Sequence, residues 1–286
     1  MISTTSILAC VVTLLLSLVL PVLVLIVYAV KNKNQGIVSA WFLGAAGFFV
    51  PQILIRLPIL NALGETTWFF DFAQNHIFLY CVSLAFTAGL FELAGRFVVA
   101  KILNRKNLTY KRSLAAGLGH GGIEAMLIIG MTYVNNLVIM LMVNSGSFDV
   151  LLSQTAAQGG DVSQLQAAYA AITAATPGIF LLAGYERLLT MTAQAAMSMI
   201  VCWGVHRKQA GMAALLCLLM HTLLDSTAVI SVLATDAGGN RLTQTAAYAI
   251  VYFVLTLAAA LSVWILLKIR RSWLAEERKV SYDPEK

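Results

Sequence analysis

Long uninterrupted apolar runs constrain the fold of this chain more than any other feature. Runs of about 20 apolar residues recur from one end of the sequence to the other, and a helix needs about that length to cross a hydrocarbon core of ~30 Å. Only 11% of the residues are charged, whereas a water-soluble domain of this length carries about a quarter. The sequence therefore predicts an all-α fold, a polytopic bundle of transmembrane helices.

Seven membrane spans are predicted within a single transmembrane domain that covers residues 1–286. In chain order, spans 1 to 7 cover residues 6–30, 37–60, 76–100, 114–143, 179–204, 210–234 and 245–269. The first run is too long for the apolar core of a signal peptide, and no small-residue cleavage site follows it. It is therefore predicted to stay as a span.

The longest connection between spans is the extracytoplasmic loop of residues 144–178. It contains the amphipathic stretch VSQLQAAYAAITAATPG, whose apolar residues share one helical face. These residues are Leu165, Ala168, Tyr169 and Ile172. The pattern predicts an interfacial or partly re-entrant helix that Pro177 ends before span 5, with a plain surface loop as the alternative.

The distribution of lysine and arginine predicts the orientation of the chain. Basic residues follow spans 1, 3, 5 and 7, whereas the opposite set of loops holds Arg241 alone. Because cytoplasmic loops carry the excess of basic residues, the N-terminus is predicted outside and the C-terminus in the cytoplasm. Topology and contact with anionic membrane lipids account for the net charge of +6, so no nucleic-acid partner is needed.

Ionisable residues inside the spans are the strongest indication of function, because each costs about 2.5–3.5 kcal/mol at the centre of a membrane helix. They are Arg56 in span 2, Glu92 and Arg96 in span 3, His120 and Glu124 in span 4, Glu186 and Arg187 in span 5, and His221 and Asp225 in span 6. Span 5 adds the neutral polar residue Gln194. Spans 1 and 7 contribute none to this set and are predicted to face lipid.

Three of the spans carry two polar residues at a spacing of four, which places both side chains on one helical face. The three pairs are Glu92/Arg96, His120/Glu124 and His221/Asp225. Counted at 1.5 Å per residue, His120, Glu92 and His221 lie about 9, about 12 and about 16 Å from the cytoplasmic boundary. The pairs are therefore predicted to meet at one level in the cytoplasmic half of the membrane.

This combination of side chains fits hydrolytic metal chemistry. Two neutral imidazoles and a carboxylate are a common ligand set for catalytic zinc, so His120, Glu124 and His221 are the predicted ligands and zinc the predicted cofactor. A further carboxylate can act as general base on a water, the role predicted for Glu92. Arg96 would hold Glu92 ionised or bind a developing negative charge.

The remaining polar residues are predicted to have supporting roles, and a purely structural role stays open as the alternative for several of the polar residues. Asp225 is predicted to orient His221 or a water. Glu186 and Arg187 are predicted to be a structural pair, with Asp225 as another possible partner of Arg187. The pair Glu92/Arg96 alone would fit an intrahelical ion pair, and His221 alone an interhelical hydrogen bond. Four glycines beside His120 would permit close helix packing; they are Gly117, Gly119, Gly121 and Gly122.

Four short stretches resemble the YhfC family of intramembrane metalloproteases. They are FELAGR in span 3, GHGGIEA in span 4, ER in span 5 and HTLLD in span 6. That family shares a clan with the type II CAAX prenyl endopeptidases, the PrsW proteases and the scaffold subunit of gamma-secretase. The resemblance covers most of the chain, spans 3 to 6 in particular, and implies a multi-pass protein of the bacterial cytoplasmic membrane.

The clan pattern matches this chain with two departures. Glu92 and Arg96 fit a motif of two glutamates followed by a basic residue, but Leu93 stands at the second glutamate. After the ER stretch the resemblance implies a histidine and, one turn later, a serine, where this chain has Gln194 and Ser198. The second motif is matched by Glu124, with His120 one turn before it, and the last by HTLLD.

The leading hypothesis is a zinc-dependent intramembrane endopeptidase that hydrolyses a peptide bond of a membrane protein or lipidated peptide. A non-catalytic scaffold that uses the same polar core to bind a membrane partner is the alternative. A third class is a proton-coupled transporter, and a b-type haem protein is a fourth. The carboxylates of the transporter's proton relay would be Glu92, Glu124, Glu186 and Asp225.

Overall fold

Helices make up most of the structure, a computed structural model that describes residues 1–106, 108–235 and 242–282. No strand occurs in these ranges. Seven helices within them are long and apolar enough to cross a membrane. The predicted fold class, an all-α polytopic membrane protein, is therefore confirmed, while the orientation of the termini stays a prediction. Arg241, which that prediction used, lies outside the described residues.

The seven helices follow the predicted spans closely, and they keep the names span 1 to span 7. In order they are Thr4–Lys31, Ile37–Gly64, Ile77–Arg105, Tyr110–Ser145, Pro177–His206, Ala210–Val232 and Gln244–Arg278. Large apolar side chains are exposed on every span, as expected where the surroundings are lipid acyl chains. Leu223 in span 6, for example, is 70% exposed, and Phe253 in span 7 is 64% exposed.

Three of the spans depart from regular α-helix close to the polar residues. Span 4 widens to an i→i+5 pattern over Ala125–Gly130, directly after Glu124. Span 2 widens to an i→i+5 pattern over Phe49–Arg56, because Pro51 has no N–H with which to continue an α-helical ladder. Widened turns of this kind are frequent at functional sites. Span 6 is interrupted after Asp225, where the helix Ala210–Asp225 ends and Ala228–Thr235 begins. Asp225 therefore lies at a helix end.

The predicted helix in the loop of residues 144–178 is present as Ser163–Ala174, preceded by a second short helix, Ser147–Ala157. Ile172 is buried, and the ring of Tyr169 stacks on Phe148 with centroids 5.3 Å apart. The helix ends at Ala174, three residues before Pro177, as predicted. Pro177 is in addition the first residue of span 5, because the fixed φ of proline and its missing N–H suit the first turn of a helix.

One further helix, Thr67–Asn75, connects spans 2 and 3 and was not predicted. The chain separates into two compact units. The first contains Met1–Leu23 and Glu124–Leu188, and its core includes Cys10, Tyr133, Met140 and Phe180. The second contains Val24–Ile123 and the described residues from Leu189 onwards. That the chain is a single domain stays a prediction.

Glycines bring spans 2, 3 and 4 into backbone contact within the second unit. A Cβ on Gly44 would overlap the carbonyl of Ala116, and one on Gly119 would overlap the carbonyl of Trp41. A Cβ on Gly95 would likewise overlap the backbone of Gly47 in span 2. Small residues permit this approach in membrane helices. The next residue after Gly119, His120, is consequently buried, with 1% of its surface exposed.

Candidate active site

The carboxylate of Glu92 is the centre of a buried polar cluster in the second unit. Its Oε2 oxygen lies 3.0 Å from His120 Nε2 and 2.9 Å from His221 Nε2. Each of these three residues is no more than 2% exposed. Spans 3, 4 and 6 thus bring together three of the residues that the sequence predicted to meet, although 129 positions separate Glu92 from His221 in the chain.

A guanidinium compensates the buried carboxylate. Arg96, one turn after Glu92 on span 3, places Nη2 3.0 Å from the same Oε2 oxygen. The same nitrogen donates to the Oε1 oxygen of Gln194, whose Nε2 lies 3.4 Å from Glu92 Oε2. A buried carboxylate is tolerated only when it is paired and hydrogen-bonded. The Glu92/Arg96 ion pair and the Gln194 contact meet that condition.

Gln52 is a member of the cluster that the sequence did not reveal. Its Nε2 donates to the second carboxylate oxygen, Glu92 Oε1, at 3.1 Å. Gln52 is 8% exposed and lies in the widened turn of span 2, directly after Pro51. One polar residue beside a proline, in an otherwise apolar run, was the only signal for it.

Arg56 ends the same widened turn, and its hydrogen bonds go to acceptors other than Glu92. Its Nη2 donates to the carbonyl of Leu84 at 2.7 Å and to Thr87 Oγ1 at 3.2 Å. Both acceptors belong to span 3. Arg56 is 8% exposed, and these bonds replace the solvation that a buried guanidinium loses.

Asp225 approaches the second imidazole from the end of its own helix. Its Oδ2 oxygen is 3.4 Å from His221 Nδ1, which is longer than a good N–H···O hydrogen bond. His221 Nδ1 has no hydrogen-bond partner among the residues that the structure describes. The Asp225 side chain is 44% exposed, so the predicted role in orienting His221 stays a prediction.

Glu124 and the span 5 pair belong to the first unit. Glu124 is the last residue of the helix Tyr110–Glu124 and follows His120 by four residues, so the two share a helical face. Its Oε1 lies 3.7 Å from Arg187 Nη1, and Arg187 also pairs with Glu186. Arg187 is 7% exposed. The Glu186–Arg187 pair that the sequence predicted is therefore present.

The donor set around Glu92 fits a divalent metal ion. Two imidazole nitrogens converge beside Glu92, and imidazole is a donor type that catalytic zinc takes from proteins. Both nitrogens are Nε2 atoms at hydrogen-bond distance from the carboxylate. To bind a metal ion, each neutral imidazole would give up its hydrogen bond to Glu92 and coordinate the ion through Nε2. The Arg96 cation on the same oxygen opposes a second positive charge there.

The fold and the cluster define a polytopic membrane protein with a buried carboxylate–imidazole site. A sequence model of the family described as YhfC intramembrane metalloprotease matches residues 16–237, which include every residue of the cluster. The chain therefore belongs to the YhfC intramembrane metalloprotease family, and the resemblance seen in the sequence is confirmed.

Comparison with known proteins supports the same assignment. The chain is 28% identical over 242 residues to an uncharacterized membrane protein, YhfC, of Bacillus subtilis (strain 168). The alignment covers 84% of this chain and 88% of that relative. No solved structure matches. With its seven apolar helices, this chain is a multi-pass bacterial membrane protein in contact with lipid.

Proposed function

We propose that the chain is an intramembrane endopeptidase that hydrolyses a peptide bond of a membrane-embedded or lipidated substrate. One observation carries the proposal: His120 Nε2 and His221 Nε2 both contact the Oε2 oxygen of Glu92 inside the membrane-spanning region. Carboxylates and imidazoles are the side-chain groups that most often transfer protons in enzymatic hydrolysis. The family description, which names an intramembrane metalloprotease, supports the same reaction class.

The depth of the cluster supports the substrate class. Glu92 lies near the middle of span 3, Ile77–Arg105, about 20 Å along the helix from its last residue at 1.5 Å per residue. A folded water-soluble protein cannot present a peptide bond at that depth. A transmembrane segment or a lipid-anchored peptide reaches it by lateral movement in the bilayer.

Glu92 would be the general base. It takes a proton from the attacking water while the water oxygen bonds to the peptide carbonyl carbon. The same proton then passes to the amide nitrogen as the C–N bond breaks, which yields a carboxylic acid and an amine. Gln52 and Arg96 each hold one oxygen of Glu92, so the base is fixed in direction before the substrate arrives. Arg96 also supplies positive charge for the developing oxyanion.

Zinc is the metal that we propose for this site, with His120, Glu124 and His221 as its ligands. The convergence of the two imidazoles supports it, and so does the position of Glu124 one turn after His120 on the same helix. When bound, zinc would act as a Lewis acid toward the substrate carbonyl oxygen. Asp225, near His221 Nδ1, would orient that ring.

The test compares membranes of the host that contain the full chain, the Glu92→Gln variant or no copy of it. New N-termini of membrane proteins are labelled and identified by mass spectrometry. We expect a set of new N-termini with the full chain that disappears with Glu92→Gln. Glu276→Gln is the matched control, because Glu276 pairs with Arg207 near the end of span 5. A set that survives Glu92→Gln would refute Glu92 as the base.

A non-catalytic scaffold is the second candidate, and one specific contact favours it. Gln194 stands where the family resemblance implies a histidine, and it bonds to Arg96 and contacts Glu92. Amide oxygens are weak ligands for zinc compared with imidazoles, and the carboxylate is already satisfied by protein side chains. Zinc analysis of the purified protein separates the two candidates, since the scaffold would fold and stay monodisperse without metal.

A further inference from the structure

A small cavity lies next to the Glu92 cluster, on the side of it that faces the basic ends of the spans. It is lined by residues of spans 2, 3, 4 and 5, all within the second unit. The residues that line it are Gly44, Arg96, Val99, Ala116, His120, Ser198 and Cys202. Its volume is about 10 Å³.

The walls of the cavity carry polar atoms that the rest of the protein leaves unsatisfied. Arg96 uses Nη2 for Glu92 and Gln194, but its Nε and Nη1 have no hydrogen-bond partner within the described ranges. Ser198 Oγ likewise has none there. Arg96 is 2% exposed and Ser198 5% exposed. A buried donor without a partner costs about 1–3 kcal/mol, so these atoms require a ligand.

The volume decides which ligand they can take. A cavity needs about 10–15 Å³ to hold one water molecule, and the water needs two to four polar partners. This cavity has about that volume, and Arg96 together with Ser198 offers three polar atoms. A water molecule is therefore the ligand that matches the volume and the polar atoms of this cavity.

We propose that this cavity is a binding site for a single water molecule held by Arg96 and Ser198 beside the ring of His120. It adjoins the base directly, because Arg96 and His120 both contact Glu92 Oε2. The water is thus one side chain away from Glu92. Resting on the proposed function, this site is the local supply of the water that the peptidase consumes.

X-ray radiolytic footprinting of the purified full-length protein tests the site, since hydroxyl radicals form only where water is present. Cys202 lines the cavity and is 2% exposed, whereas Cys10 is 0% exposed and belongs to the core of the first unit. We expect Cys202 to be oxidised under a short pulse while Cys10 stays unmodified. Equal, background-level oxidation of the two thiols would overturn the water site.

Two serine variants test the residue assignment. Ser198→Val removes the hydroxyl and fills the cavity, and it should lower the oxidation of Cys202 to the level of Cys10. Ser262→Val is the control, because Ser262 is also fully buried but donates to Ala258 within span 7. Cys202 oxidation that persists unchanged in Ser198→Val would refute Ser198 as a ligand. The comparison of Cys202 with Cys10 needs no variant, so misfolding of Ser198→Val does not remove the test.

The link to catalysis has a separate readout. If the membrane comparison yields a cleaved substrate, Ser198→Val should lower kcat for that substrate and leave KM and zinc content unchanged. Ser262→Val should leave kcat, KM and zinc content unchanged. An unchanged kcat would refute the supply role. A wild-type protein that oxidises at Cys202 but cleaves nothing would refute the peptidase and leave the water site standing, so the two failures are distinguishable.

Discussion

His221 Nε2 lies 2.9 Å from Glu92 Oε2, and this contact joins span 6 to span 3 at the polar cluster. Both residues are 2% exposed, so the bond is shielded from competing water. His120 contacts the same oxygen from span 4. Three helices are therefore connected through one carboxylate oxygen, and any change at Glu92 acts on all three.

Glu92→Gln should combine a catalytic defect with a stability defect. An amide has one oxygen fewer, so an acceptor is lost either by Gln52 on Oε1 or by the three groups on Oε2, which are His120, His221 and Arg96. We expect cleavage to fall at least about 100-fold, the lower range for loss of a general base. The thermal unfolding midpoint in detergent should fall as well. Glu92→Asp, which keeps the charge but shortens the reach, should recover stability more than activity.

Arg96→Met should be more damaging than Arg96→Lys. Methionine leaves the buried Glu92 carboxylate without its cation, and removing one partner of a buried pair costs about 3–5 kcal/mol. Lysine keeps the charge but has a single nitrogen. The guanidinium contacts Glu92 and Gln194 with one nitrogen and has two more for other partners. Thermal unfolding in detergent measures the difference. Equal unfolding midpoints for the two variants would contradict a role for the Arg96 charge.

His120→Ala and His221→Ala should each remove most of the bound zinc, because either change deletes one of two convergent imidazoles. The measurement is elemental analysis of protein purified without chelator. His206→Ala is the control, since His206 stacks on Trp273 and contacts Glu276 instead, about 18 Å along span 5 from Gln194 at 1.5 Å per residue. Stoichiometric zinc in both site variants would place the metal elsewhere.

Gly119→Ala should disrupt the packing of span 4 on span 2, because its Cβ would overlap the Trp41 carbonyl, a backbone atom that cannot rotate away. Loss of the monodisperse peak in size-exclusion chromatography is the expected result. Gly211→Ala provides the matched control, since a Cβ there meets no atom within 4 Å and alanine favours helix by about 1 kcal/mol. A Gly119→Ala protein as stable as Gly211→Ala would show that the close approach is not required.

The apolar runs predicted the helices well, and the four-residue spacing predicted which side chains meet. Both rules rest on local geometry, and they hold where the helix is regular, as at Glu92/Arg96. These rules did not identify Gln52, because it is a single polar residue in a widened turn, where the four-residue spacing does not apply. Its contact with Glu92 depends on how spans 2 and 3 pack. Pro177 both follows the end of one helix and begins span 5, and only the first of these positions was predicted.

The widened turn at Phe49–Arg56 has a consequence for comparing relatives. Such a turn carries one residue more than a regular turn. Making this turn regular without removing that residue would rotate everything after it by about 100°, which would swing Arg56 away from Leu84 and Thr87. Homologues that lack the proline should therefore show a one-residue gap in this segment if they keep the same contacts. A gap-free alignment through span 2 would pair residues that point in different directions.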